Sequence, residues 1–116
     1  MSINYNNKIF KSVNNTQNGE VGGETFFHYW QEGSTVWATY KGGSIIFGTL
    51  IAKMARDGSL DMRYQHLSED GQFKTGLCQS KAEVLKDGRI RLHEKWQWTS
   101  GDRSKGASVV EEVLND

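Results

Sequence analysis

Glu94 is the residue best placed to do chemistry. It stands in the run Ile90 to Trp98, where Ile90, Leu92, Glu94, Trp96 and Trp98 share one face of an extended strand and Arg91, His93, Lys95 and Gln97 share the other. A carboxylate between Leu92 and Trp96 is costly to bury unless hydrogen-bonded, and burial raises its pKa. Such a group orients the polar part of a ligand or moves a proton. A structural carboxylate that partners a Tyr, Trp or Arg, or one that meets water at the edge of the fold, would read the same way. Trp96 and Trp98 add flat apolar surface with one N–H donor each. They either line a ligand cavity or fill a core.

Four more residues are candidates for the same cavity. Tyr64 and His66 share a face with Leu60 and Met62. His28 and Trp30 share a face with Phe26, against Thr25, Phe27, Tyr29 and Gln31 on the other side. The candidate ligand-binding set is therefore Glu94, Trp96, Trp98, Tyr64, His66, His28 and Trp30. The three histidines fall on three separate strands, and His93 lies opposite Glu94, so no metal site and no cofactor are expected. Cys78 stands alone, can form no internal disulfide, and reads as a small buried residue rather than a nucleophile. Asp61, Arg63 and Gln65 make a polar stripe expected to face outward. The loop Thr99-Ser100-Gly101-Asp102 offers only a weak anion-binding signal through its backbone amides. The serine-hydrolase elbow, the phosphate-binding loop, the zinc-protease helix and the dinucleotide fingerprint are all missing.

The elements that must position these groups are marked by punctuation. Runs rich in Val, Ile, Thr, Phe, Tyr and Trp are cut by Glu32-Gly33, Gly42-Gly43, Asp57-Gly58, Asp70-Gly71, Asp87-Gly88 and Gly101-Asp102. This is the rhythm of an antiparallel meander joined by tight turns. A long meander must hide its edges, and closure into a barrel does so. The expectation is an all-β, antiparallel up-and-down β-barrel of about eight strands, as one domain over residues 1–116. Asn14 to Gly23 reads as a loop or wide hairpin. Lys81 to Leu85 reads as a strand continuing after a bulge, and Gly106 to Leu114 as a last strand that pairs with the first. Proline is absent, which is compatible with sheet throughout.

Lys plus Arg equals Asp plus Glu at 14 each, so the broad electrostatic attraction of a nucleic-acid binder is missing. The first residues lack the apolar run of a secretory signal, and no stretch approaches a membrane-spanning helix. A cytoplasmic protein is the expectation. Ser44 to Ala55 carries Ile45, Phe47 and Ile51 on one face and Ile46, Leu50 and Met54 on the other. A strand apolar on both sides wants cover on both, so a homodimer through this strand is expected.

Three stretches carry a resemblance. They are Gly43-Ser44-Ile45-Ile46-Phe47-Gly48, Leu60-Asp61-Met62-Arg63-Tyr64-Gln65-His66, and Arg91-Leu92-His93-Glu94-Lys95-Trp96-Gln97-Trp98-Thr99-Ser100-Gly101-Asp102. From about Phe10 onward the chain resembles a family of small bacterial proteins often labelled N-acetylglutamate synthase. That label implies an acetyl-CoA-dependent transferase of mixed α/β fold, which needs a pyrophosphate loop at a helix N-terminus. The chain offers neither, so the label is not taken as chemistry and no catalytic residue is carried over. The meander is also similar to calycin-like barrels such as lipocalins and avidins, a likeness of fold.

The leading expectation is a small-molecule-binding barrel. One alternative is a small barrel enzyme (isomerase, lyase or hydrolase) using Glu94 with His66 or Tyr64 as acid and base. Another is an interaction or scaffold protein with a filled core.

Overall fold

The turns that punctuate the sequence are turns of the fold. A computed structural model describes residues 3–16, 19 and 24–114. Four of its turns close alike, with an aspartate accepting a backbone N–H two residues on. The pairs are Asp57 with Ser59, Asp70 with Gln72, Asp87 with Arg89 and Asp102 with Ser104. The glycines after the first three hold φ of 86°, 84° and 90°, which glycine adopts without a steric penalty.

Between the turns run eight strands: β1 (Lys8–Asn15), β2 (Phe26–Glu32), β3 (Thr35–Gly42), β4 (Ile45–Met54), β5 (Leu60–Ser68), β6 (Phe73–Val84), β7 (Ile90–Trp98) and β8 (Lys105–Val113). Each pairs antiparallel with the next, and β8 returns to β1, so the sheet is a closed barrel without edges. The described residues contain no helix, and none long and apolar enough to cross a membrane. Part of the expected loop from Asn14 to Gly23 lies outside the described residues. Asn14 and Asn15 belong to β1.

Two local expectations are corrected. There is no bulge at Lys81, because β6 pairs with β7 without a break from Gly76↔Trp98 to Val84↔Ile90. A bulge occurs instead in β4, between Ile45 and Phe47. It puts one extra residue into the strand and changes which face follows. Ile45 thereby turns inward with Leu50 and Ala52, while Phe47 and Ile51 face out. The pairing of Ile45 with Phe47 and Ile51 on one face does not hold.

The lumen is packed by Phe10, Tyr29, Val36, Leu60, Leu92 and Val110, each essentially inaccessible. One end is stopped by the segment before β1. Tyr5 is fully buried there, its hydroxyl donates to Gly58 O at 2.5 Å, and its amide donates to Gln31 Oε1 at 2.8 Å. Its ring lies 6.0 Å from that of Tyr29 and 6.4 Å from that of Phe10.

Candidate functional site

Strand register builds the polar centre of the lumen. Ser80 on β6 and Ser108 on β8 both stand directly opposite Glu94 on β7. All three side chains point inward, and the two serines are buried. Ser108 Oγ donates to Glu94 Oε1 at 3.0 Å, and Ser80 Oγ donates to Oε2 at 3.2 Å. No cation among the described residues joins the cluster. Burial therefore dominates and lifts the Glu94 carboxyl to about 7, with the two serine hydroxyls pulling the other way. Near neutral pH the group is divided between acid and carboxylate, able to accept a hydrogen bond in one form and to donate one in the other.

Above this centre the lumen is not full. A cavity of about 50 Å³ is bounded by Glu94, Trp96, Trp98, Tyr64, His66 and Cys78 among others. That is room for about four waters. Its aromatic wall is continuous. The Trp98 ring centroid lies 5.6 Å from Trp96, 5.7 Å from His66 and 5.8 Å from Tyr64, the last two edge to face. His66 is buried, its Nδ1 is 3.0 Å from the Tyr40 hydroxyl, and burial pulls its pKa down, which favours the neutral imidazole. Burial pushes the Cys78 thiol well up, and the charge of Glu94 adds to this, so it is no ready nucleophile.

Glycines keep the cavity open. Tyr40 faces Gly48 across β3 and β4, Tyr64 faces Gly76 across β5 and β6, and Trp96 faces Gly106 across β7 and β8. In each pair the ring lies over the glycine. A methyl group there would meet ring carbons at 2.3 Å (Gly48) or 2.2 Å (Gly76, Gly106), well inside contact distance. The rings are thus drawn back against the wall. The cavity extends toward Asn15 and Gly19, away from the end stopped by Tyr5.

The structure brings together Glu94, Trp96, Trp98, Tyr64 and His66. It does not bring His28 and Trp30 to them. The inward side of β2 is Phe27 and Tyr29, so His28 and Trp30 look outward. Their rings stack on one another at 4.1 Å and 13°, and His28 Nε2 meets Asn7 Oδ1 at 2.9 Å. Both faces of this strand carry aromatic rings, so alternation alone could not tell inside from outside. His93 lies on the exterior, 2.8 Å from Glu83. No group of three or more potential metal ligands gathers among the described residues. Reasoning from sequence missed Ser80, Ser108 and Tyr40, which only register reveals. It also missed Gly48, Gly76 and Gly106. Their signal was present, since a glycine inside a strand and away from a turn marks a close approach.

A family model described as "Avidin-like protein" matches residues 3–113. No curated protein and no solved structure matches the chain. Nothing in these comparisons supports the N-acetylglutamate synthase label.

Proposed function

The chain belongs to the avidin-like protein family, and from that premise and the geometry of the lumen we propose that it is a small-molecule-binding barrel. The observation that carries the reading is the cavity itself. Three aromatic side chains are seated back on glycines, leaving Glu94 accessible from an apolar space instead of packed over. Sites of this kind combine an apolar wall with a few convergent polar groups. Glu94 with its two serines would hold a donor such as an N–H or O–H on the ligand head. Trp96, Trp98 and Tyr64 would cover a flat or apolar body. The cavity suits the head of a ligand, and the remainder would lie toward Asn15.

The acid–base reading has less support. His66 offers Nδ1 to Tyr40, and the hydroxyls that reach Glu94 are those of two serines. Among the described residues, neither side chain that hydrogen-bonds Glu94 is a strong base.

The test is a panel of small planar amides, ureas, phenols and heteroaromatic acids. Binding is followed by tryptophan fluorescence and confirmed by calorimetry. A ligand should quench or shift the emission in wild type, with affinity reduced at least tenfold in Trp96→Ala or Glu94→Leu. If no compound changes the fluorescence, or if hits bind these variants equally well, the cavity is not a ligand site.

A further inference from the structure

Glu94 is a carboxylate in want of a counter-charge. The two hydroxyls that reach it, from Ser80 and Ser108, are neutral, and each takes one position on one oxygen. A carboxylate offers about four acceptor positions, so about two are left. Both serines are buried, whereas Glu94 keeps some accessible surface and borders the cavity.

Among the described residues, no group lining the cavity supplies a positive charge near pH 7. The titratable groups on the inward side about Glu94 are Tyr29 of β2, Tyr40 of β3, Tyr64 and His66 of β5 and Cys78 of β6, with Tyr5 at the stopped end. Burial pushes the tyrosines and the thiol up and His66 down, so each is held in its neutral form. From β1, β4 and β8 the lining takes Asn15, Leu50 and Ser108, none of which ionises in this range. Near pH 7 the cavity is therefore neutral or negative.

Its walls suit a cation as well. The Trp98 ring is inclined at 59° to Trp96, 69° to Tyr64 and 76° to His66. Rings set at such angles bound one space on several sides. The face of an indole or phenol ring carries negative potential and attracts a cation, most strongly one shielded from water.

We propose that the lumen takes an organic cation, a ligand whose head is an amidinium or protonated amine paired with Glu94 and whose flat body lies against Trp96 and Trp98. It rests on the reading of the lumen as a ligand site and assigns the charge of the ligand's head. An amidinium presents two parallel N–H donors, which match the two oxygens of a carboxylate. Such a head converts a solitary buried charge into a pair, which a neutral head does not. An anion would set its charge beside Glu94 where little water screens it.

The experiment uses three probes of one shape and different charge: benzamidine as cation, benzamide as neutral isostere and benzoate as anion. Binding is measured by calorimetry from pH 5 to 8 on wild type, Glu94→Gln and, as an exposed control, Glu69→Gln. At pH 8 benzamidine should bind wild type at least tenfold more tightly than benzamide, and benzoate should not bind. Because the cation needs the carboxylate and the carboxyl stands at about 7, benzamidine affinity should fall about a hundredfold from pH 8 to pH 5. Any proton that His66 takes at the acid end acts in the same direction. Benzamide, which can donate to the carboxylate or accept from the acid, should change less than threefold. At pH 6.5 benzamidine binding should release protons to the buffer. Glu94→Gln should erase the preference for the cation and Glu69→Gln should keep it. Benzamide binding as tightly as benzamidine, with loss in Trp96→Ala, would overturn the cation and leave the ligand site standing. Tighter binding of benzoate, a flat pH profile for benzamidine, or an undiminished preference in Glu94→Gln would overturn it too. If none of the three binds, the cation falls, and the panel of neutral compounds decides the ligand site separately.

Discussion

Replacing Glu94 by Gln tests the electrostatics of the lumen with least change in shape. Glutamine keeps an oxygen for Ser80 or Ser108 and removes the ionisation. In the folded barrel burial lifts the carboxyl from 4.5 to about 7. Below pH 4.5 the folded and unfolded chains both hold the proton, and the group favours neither. Between pH 4.5 and 7 only the unfolded chain releases it, so stability falls as pH rises. Above pH 7 both are ionised and the loss is complete. At about 1.4 kcal/mol per pH unit, the whole fall is about 3 kcal/mol. Urea unfolding followed by tryptophan fluorescence at intervals from pH 4 to 8.5 measures it. The unfolding free energy of Glu94→Gln relative to wild type should rise by about 3 kcal/mol across that range, with most of the rise between pH 5 and 7. Parallel curves for the two proteins would refute the reasoning, because the carboxyl would then titrate alike folded and unfolded.

Gly76→Ala places a methyl 2.2 Å from the Tyr64 ring and must drive that ring into the cavity; a cost of about 1–3 kcal/mol in urea unfolding is expected, together with loss of any ligand-dependent fluorescence change. Tyr5→Ala unplugs the stopped end and should cost about 3–5 kcal/mol, while Tyr5→Phe, which leaves Gly58 O without that donor, should cost about 1–3 kcal/mol by the same measurement. The Tyr29 hydroxyl is buried and has no hydrogen-bond partner among the described residues; Tyr29→Phe should therefore stabilise the barrel by about 1 kcal/mol or leave it unchanged, and a clear loss of stability would show that the hydroxyl is satisfied.

The comparison of strands shows where sequence suffices. β7 was legible in full, with its bounds, its inward face and the position of Glu94, because one of its sides is apolar and the other charged. β2 was legible as a strand but not as to facing, since Phe26, His28 and Trp30 compete with Phe27, Tyr29 and Gln31 on nearly equal terms. β4 defeated alternation by its bulge between Ile45 and Phe47, which shifts the period by one residue.

Turn chemistry and two-residue periodicity are local, and they act within a few residues along the chain. Through them the amino-acid sequence alone determined the number of strands, the antiparallel order and the Leu-Glu-Trp-Trp face. What stands across from what is not local. It depends on how far each strand slides against its neighbour when the cylinder closes. Only that closure set Ser80 and Ser108 on either side of Glu94 and seated Tyr40, Tyr64 and Trp96 on glycines. It also turned His28 and Trp30 outward. A carboxylate's pKa and a cavity's shape are properties of those cross-strand neighbours, so both belong to the tertiary structure.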